Sequence, residues 1–291
     1  MGFIGVGIMG KSMVRNLMKA GFELHIYART KSKVEDVISE GAQFHESIKD
    51  CVQDCDAVIT IVGFPQDVEE VYFDEGNILD SAKKGAYLID MTTTSPQIAE
   101  KIYEEGTKRG FHVMDAPVTG GDTGAKAGTL SILVGGEKED YEACMSLFEA
   151  MGTNINYQGK AGCGQHCKLA NQIMIAGTLS GVCEALTYAK EQGLDPEVFM
   201  KSVATGAAGS KQLDTFGPKI LKDDYAPGFF MKHFIKDMKL ALIEANRKGL
   251  SLDVLSMVLA NYEELEQEGY GDLGTQALMK FYDEEHRNTE E

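Results

Sequence analysis

The first ten residues carry the pattern that constrains this chain most. A short apolar run is followed by glycines in G-x-G-x-x-G spacing, and apolar residues then recur at helical intervals up to Gly21. The next segment, 23–28, alternates like a strand. A glycine loop between a strand and a helix predicts a βαβ unit that binds a dinucleotide pyrophosphate at the helix N-terminus. The predicted ligands are Gly5, Val6, Gly7, Ile8 and Met9.

The residues after the second predicted strand bear on the choice of dinucleotide. An NAD site usually has Asp or Glu about twenty residues past the glycines. Ala28 stands there instead, and the basic segment "RTKSK" follows it. Because arginine offers a forked donor to a 2′-phosphate, the sequence favours NADP over NAD, with Arg29 and Thr30 as ligands. A solvated basic turn is the alternative interpretation.

Strand and helix patterns then alternate along the chain. Short buried strands are predicted over 56–63, 86–91, 112–117 and 130–135, with helical stretches between them. This alternation predicts an α/β fold with a Rossmann-like doubly wound sheet, in which ligands bind beyond the carboxyl ends of the strands. The loop candidates for binding are Val62, Gly63, Thr92, Thr93 and residues 117–121.

Helical periodicity dominates from about residue 165. The predicted helices cover 166–192, 196–205, 232–248, 251–267 and 272–285. We therefore predict a Rossmann domain over 1–161, followed by an all-helical domain over 162–291, joined by a long interdomain helix. The terminal "DEEHRNTEE" is expected to fray.

Charge and composition exclude several classes of function. A net charge of −17 argues against nucleic-acid or anionic-membrane binding. Because no uninterrupted apolar run reaches about 18 residues, no membrane span is expected. Six cysteines without a secretory signal predict reduced thiols in a cytoplasmic protein. The pairs 51/55 and 163/167, the latter beside His166, lack the spacing of structural zinc sites, so no metal is expected.

The segment "GCGQHCKLANQ", 162–172, places polar residues at the start of the longest apolar stretch. Lys168, Asn171 and Gln172 share one helix face. A buried ammonium is costly unless it is paired or functional, so this face is expected to look into the crevice where nicotinamide would arrive. The helix dipole and partial burial should favour the neutral amine, which suits an acid/base catalyst. A lysine that snorkels from a core helix is the alternative.

A glycine-rich loop after the strand at 112–117 supplies a second candidate. Thr119, Gly120 and Gly121 combine a hydroxyl with accessible backbone N–H groups, which suits a carboxylate. A structural hairpin is the alternative. Together with the lysine and a nicotinamide cofactor, this loop predicts a small carboxylate-bearing substrate.

Four segments in this order resemble the β-hydroxyacid dehydrogenase family almost end to end: "GFIGVGIMGKSMVRNLMKAG", "DAPVTGG", "GCGQHCKLANQ" and "GFFMKHFIKDMKLAL". This family includes 3-hydroxyisobutyrate dehydrogenase, tartronate semialdehyde reductase and the glyoxylate/succinic semialdehyde reductases. The segment "ARTKSK" is similar to the family's NADP-preferring "NRT" version, although Ala28 departs from its asparagine.

The resemblance implies roles for individual residues. Lys168 would be the catalytic lysine and Asn171 its neighbour at the substrate. Residues 119–121 would hold the substrate carboxylate, with Thr119 where the family usually has serine. Thr93 and Lys236 would lie at the cofactor, and Phe229 and Asp237 would line the site. The resemblance also implies a homodimer or homotetramer.

These inferences predict hydride transfer between NADP(H) and a small hydroxy acid or its semialdehyde, with Lys168 as general acid/base. A 6-phosphogluconate dehydrogenase is disfavoured because its K-x-x-H-N dyad is absent here. Imine reductases generally lack the lysine. A non-catalytic dinucleotide-binding protein is a further alternative, which the presence of Lys168 disfavours.

Overall fold

The computed structural model of the protein describes residues 1–283. The described chain forms two compact units, Met1–Lys168 and a second unit from Leu169 onward. The division between these compact units falls inside a long helix. The helix predicted over 272–285 and the tail expected to fray both extend beyond the described residues.

Nine strands of the first unit form one sheet, in the order β3-β2-β1-β4-β5-β6-β8-β7, with β9 beside β8. The strands are β1 Gly2–Ile4, β2 His25–Tyr27, β3 Gln43–Phe44, β4 Ala57–Thr60, β5 Tyr87–Asp90, β6 His112–Asp115, β7 Val118–Thr119, β8 Leu130–Gly136 and β9 Gly152–Gly159. The first six run parallel in the order 3-2-1-4-5-6, which is the order of a dinucleotide-binding fold. Their carboxyl ends therefore share one edge, hereafter the carboxyl edge.

Helices connect these strands and build the second unit. They are α1 Ile8–Lys19, α2 Glu35–Ser39, α3 Ile48–Val52, α4 Pro65–Phe73, α5 Ile78–Ser81, α6 Pro96–Lys108, α7 Gly121–Ala127, α8 Lys138–Ala143, α9 Met145–Met151, α10 Cys163–Glu191, α11 Pro196–Val203, α12 Lys211–Ile220, α13 Met231–Arg247 and α14 Asp253–Gln267. Three 3₁₀ segments cover Lys31–Lys33, Tyr270–Asp272 and Thr275–Tyr282.

The sheet is covered on both faces because successive strand residues point to opposite sides. Phe3 and Ile59 belong to one hydrophobic cluster, which includes the buried face of α1. Their neighbours Ile4 and Val58 belong to a second cluster with residues of α3, α4 and α6. This arrangement confirms the doubly wound fold predicted from the alternation of strands and helices.

The structure corrects the glycine-rich loop after β6. Thr119 ends the short strand β7, which pairs antiparallel with β8, and α7 begins at Gly121. The edge strands β3 and β9 were also missed. β9 reads "GTNINYQG", and its mostly exposed, polar pattern carries little of the apolar signal that marks a strand.

The second unit is helical, as predicted, around a core that includes Val182, Phe234 and Tyr262. The helix α12 was missed because Gly217 and Pro218 lie inside it and resemble a helix stop. Ser210 caps its start by accepting a hydrogen bond from the Leu213 N–H at 3.1 Å. The helix predicted from residue 272 is instead a 3₁₀ segment over its described part.

By length and composition alone, α10 is long and apolar enough to cross a membrane, which is also true of buried core helices. Its apolar residues Leu179, Val182 and Leu186 are buried in the core of the second unit. Packing within the protein thus accounts for these apolar side chains.

Candidate cofactor and substrate site

The glycine loop between β1 and α1 has the geometry of an anion site. Gly5 has φ of +97°, and a Cβ there would lie 2.1 Å from the Ile61 carbonyl oxygen. A Cβ at Gly10 would lie 2.1 Å from the Gly5 oxygen, whereas one at Gly7 would meet nothing within 4 Å. The first turn of α1 contains no acidic residue. Two glycines therefore permit close packing, and the third leaves open space in front of the helix N–H groups, which fits a pyrophosphate.

The basic side chains Arg29 and Lys31 in the turn after β2 are exposed, and each forms an ion pair. Arg29 lies 3.1 Å from Asp67, a residue of α4 that also accepts the Phe64 N–H at 2.9 Å. Lys31 lies 3.4 Å from Glu46, and both of these side chains are exposed. The Lys31–Glu46 pair is weak because both side chains are exposed, whereas the Asp67 side chain that meets Arg29 is 16% exposed. Sequence reasoning missed Asp67, which positions Arg29 next to the loop after β4.

Asp90, the last residue of β5, joins two loops at the carboxyl edge. Its Oδ1 accepts from the Thr60 hydroxyl at 2.7 Å and from the Thr92 N–H at 3.1 Å. The Thr92 hydroxyl accepts from the Val62 N–H at 2.9 Å. Burial raises the pKa of Asp90 to about 6, and nearby Asp115 adds to the effect. The loops that contain Val62, Gly63 and Thr93 are thereby held together.

Asp115, at the end of β6, holds the start of α10. Its two carboxylate oxygens accept from the N–H groups of Gly162 and Gln165, each at 2.8 Å. Burial raises the pKa of Asp115, and the two backbone donors oppose that shift. A Cβ at Gly164 would lie 2.4 Å from the Leu133 oxygen, so this glycine lets the helix approach the sheet closely.

The side chain of Gln165 connects α10 to the loop after β5. Its Nε2 donates to the Thr92 carbonyl at 2.7 Å, and its Oε1 accepts from the Thr94 N–H at 3.0 Å. Sequence reasoning did not identify Asp90, Asp115 or Gln165. The only sequence signal was a polar residue at the end of a buried strand or in the first turn of a helix.

Lys168 lies three residues after Gln165 on α10, and it is buried, with 7% of its surface exposed. It is the last residue of the first unit. A lysine with so little exposure does not match the alternative in which the amine snorkels to the surface. A buried ammonium needs polar partners or a function, and the structure places this one next to the anchored start of α10.

The predicted carboxylate loop combines two glycines with positive φ. Gly120 has φ of +134° and Gly121 has φ of +64°. A Cβ at Gly121 would meet nothing within 4 Å. The half-buried Thr119 precedes them at the end of β7. The backbone here adopts conformations that favour glycine, as a concave array of N–H groups requires.

In the second unit, four polar side chains form a continuous chain. Asn171 donates to Gln172 at 2.8 Å, and Gln172 donates to Asp237 at 2.7 Å. The Lys236 Nζ lies 3.0 Å from the other Asp237 oxygen. Three residues that the resemblance assigned to the site, Asn171, Lys236 and Asp237, are thus brought together. Gln172, which was placed on the same helix face, links them.

Phe229 is half-buried against the core of the second unit, where its ring packs edge-on against Phe234 with centroids 6.0 Å apart. Among residues 1–283, no group of three His, Cys, Asp or Glu side chains is arranged to hold a metal ion. Cys51 and Cys55 are buried, and each thiol donates to a backbone carbonyl.

A Rossmann sheet with an open glycine loop in front of α1 and clustered loops at its carboxyl edge defines a dinucleotide-binding protein. Two family models match the chain. Residues 1–159 match the NAD-binding domain of 6-phosphogluconate dehydrogenase, and residues 162–282 match the NAD-binding domain of NADP-dependent 3-hydroxyisobutyrate dehydrogenase. The chain belongs to the β-hydroxyacid dehydrogenase family.

Its relatives match it almost end to end. An uncharacterized oxidoreductase, YkwC of Bacillus subtilis, is 49% identical over 97% of this chain and 98% of its own length. A probable 3-hydroxyisobutyrate dehydrogenase-like protein of Arabidopsis thaliana is 44% identical over 96% of this chain and 83% of its own length. A solved structure of Mycobacterium tuberculosis 3-hydroxyisobutyrate dehydrogenase with L-serine has a TM-score of 0.87 at 26% identity, covering 96% and 97% of the two chains.

Proposed function

We propose that this protein is an NADP-dependent dehydrogenase of a small 3-hydroxy acid, or a reductase of the matching semialdehyde, with Lys168 as general acid/base. The observation that carries the proposal is the burial of Lys168 on a helix start that hydrogen bonds fix to the carboxyl edge of a Rossmann sheet. The names of two relatives, which refer to 3-hydroxyisobutyrate and L-serine, support a hydroxy acid as substrate class.

Each group of residues has its own role in the proposed reaction. A nicotinamide cofactor, when bound, would supply the hydride donor or acceptor. Lys168 gives a proton to the carbonyl oxygen in reduction and removes the hydroxyl proton in oxidation. Thr119, Gly120 and Gly121 bind the carboxylate through a hydroxyl and backbone N–H groups. Asn171 orients the substrate, and its amide is held by Gln172.

The same proposal assigns the cofactor residues. Residues 5–9 in front of α1 would hold the pyrophosphate, and Val62, Gly63 and Thr93 would contact the cofactor from the loops after β4 and β5. Lys236 adds a cation near the cofactor, paired with Asp237. Arg29 and Thr30 would hold the 2′-phosphate, and Arg29 would then give up its contact with Asp67, whose side chain is 16% exposed. NAD is the alternative cofactor if Arg29 remains bound to Asp67.

A kinetic screen tests the proposal. Glyoxylate, succinic semialdehyde, tartronate semialdehyde and methylmalonate semialdehyde are each assayed with NADPH and NADH, and 3-hydroxyisobutyrate and L-serine with NADP and NAD. We expect turnover with at least one acid and a preference for NADPH. Lys168→Ala should lower turnover about a thousandfold while NADPH still binds.

The exposed Lys160, which precedes α10, provides the matched control. Lys160→Ala should leave turnover unchanged. Near-normal turnover in Lys168→Ala would overturn the role of the lysine, and no turnover of any acid by the natural sequence would overturn the proposed function.

We also propose that the chain works in the cytoplasm as a homodimer or homotetramer. Exposed apolar side chains on the helices of the second unit support self-association: Met174, Ile243, Val254 and Met257. Sedimentation equilibrium would test this, and a monomer at micromolar concentration would contradict it.

A further inference from the structure

Gln165 has no assigned role in the reaction, yet its environment is unusual for a glutamine. Its side chain is fully buried, at 0% exposure, and both of its polar atoms have backbone partners. A buried amide contributes little net stability even when it is satisfied, and leaving its partners unpaired is costly. An apolar side chain on α10 could fill this volume, so the two hydrogen bonds are the distinctive feature.

One end of the Gln165 contact is the loop that follows β5. Thr92 is fixed from the opposite side, because its N–H donates to Asp90 and its hydroxyl accepts from the Val62 N–H. The loops after β4 and β5 therefore form one hydrogen-bonded piece, and Gln165 is its link to α10. This piece contains Val62, Gly63 and Thr93, which are assigned to the cofactor.

The other end of the contact is the first turn of α10. The backbone N–H of Gln165 donates to Asp115, so the residue is held through both its main chain and its side chain. The close approach of Gly164 to the Leu133 carbonyl leaves little room for the helix to shift. Lys168 follows Gln165 by three residues, less than one helical turn.

We infer that Gln165 is a positioning residue, which fixes the cofactor loops and Lys168 at a set distance from each other. This inference rests on the proposed function, because it gives Lys168 a role in proton transfer. Hydride and proton must move at adjacent atoms of one substrate, so an error of about 1 Å between cofactor and lysine can cost about a hundredfold in rate.

Two variants separate positioning from simple stability. Gln165→Leu keeps the volume and loses both side-chain hydrogen bonds. Gln165→Glu keeps the acceptor for the Thr94 N–H, but its ionised carboxyl cannot donate to the Thr92 carbonyl. Val71→Ala is the control, because Val71 is buried on α4 in a hydrophobic cluster and its apolar side chain makes no hydrogen bond to this network.

For each variant we would measure four quantities: the melting temperature, the NADPH dissociation constant by fluorescence titration, hydrogen exchange at the Thr94 amide, and kcat with the acid found in the screen. Gln165→Leu should raise the NADPH dissociation constant several-fold and accelerate hydrogen exchange at the Thr94 amide. It should also lower kcat about a hundredfold. Val71→Ala should lower the melting temperature without these changes.

Gln165→Glu gives the more specific result. Burial raises the pKa of a carboxyl, and the protonated form can again donate to the Thr92 carbonyl. The kcat of this variant should therefore rise as the pH is lowered, relative to the natural sequence, whereas Gln165→Leu should show no such recovery. A residue that only supports folding would not restore kcat per folded molecule in this way.

The inference is overturned if folded Gln165→Leu retains kcat and NADPH affinity within twofold while the natural sequence turns over the acid. It is also overturned if Gln165→Glu shows no recovery at low pH. If the natural sequence turns over none of the acids, the proposed function fails instead, and the NADPH and exchange measurements still report whether Gln165 organises the cofactor loops.

Discussion

The buried polar groups at the start of α10 and those that link α10 to α13 are held in different ways. In the first unit, the buried groups of Asp115 and Gln165 are bound by backbone N–H and carbonyl groups. In the second unit, Asn171, Gln172 and Asp237 bind one another through side chains, and Lys236 completes an ion pair. Backbone partners are fixed by the sheet and the helix, whereas side-chain partners can change rotamer.

Contacts to backbone groups hold residues in a fixed arrangement more firmly than contacts between side chains. The contacts of the first unit hold a helix start and two loops in one arrangement, which suits cofactor binding and proton transfer. The contacts of the second unit can change one bond at a time, because each partner is a rotatable side chain. Three substitutions test this comparison, beginning with the largest expected effect.

Asp115→Ala should be the most damaging of the three. It leaves two buried backbone N–H groups, those of Gly162 and Gln165, without an acceptor. Each orphaned donor costs about 1–3 kcal/mol, so the free energy of unfolding should fall by about 4 kcal/mol in chemical denaturation. The exposed Asp54 serves as the control, and Asp54→Ala should change stability by less than about 0.5 kcal/mol. Equal effects would contradict the account of Asp115.

Asp90→Asn should change how stability depends on pH. Burial raises the pKa of Asp90 from 3.8 to about 6. Between these values the folded protein holds a proton that the unfolded chain has released, so the free energy of unfolding falls as pH rises. Protonation of Asp90 therefore adds about 3 kcal/mol to the free energy of unfolding at low pH, and this stabilisation is lost as the pH rises from 3.8 to about 6. In Asp90→Asn this pH dependence should be absent.

Denaturation curves for the natural sequence and Asp90→Asn, measured from pH 4 to pH 7.5, check this expectation. The difference between their unfolding free energies should shift in favour of the variant as pH rises. A difference that stays constant over that range would show that Asp90 does not titrate there.

Asp237→Ala should have the smallest effect on stability, about 2 kcal/mol, although Asp237 is as deeply buried as Asp90. Its two partners are side chains, so Lys236, whose side chain is 12% exposed, can turn toward water, whereas the buried Gln172 keeps its contact with Asn171. Lys236→Met and the double variant complete a cycle that isolates the pair. A loss larger than that of Asp115→Ala would reverse the comparison between the two units.

Much of the fold could be predicted because its signals are local. The glycine spacing at 5, 7 and 10, the apolar strands and the long helix were identified within windows of about twenty residues, and the structure confirms the architecture they predicted. The weakly apolar β9 and the proline-containing α12 were missed, because pairing and packing override the local pattern in both.

The sequence by itself determined the family, the βαβ glycine loop and the candidate lysine, since each depends on the order and spacing of neighbouring residues. Only the tertiary structure decided how Lys168 is supported. Asp115 meets Gly162 across 47 residues, and Thr94 meets Gln165 across 71 residues. Hydrogen bonds act only over about 3 Å, so they form where the folded sheet brings distant segments together, which no local spacing encodes.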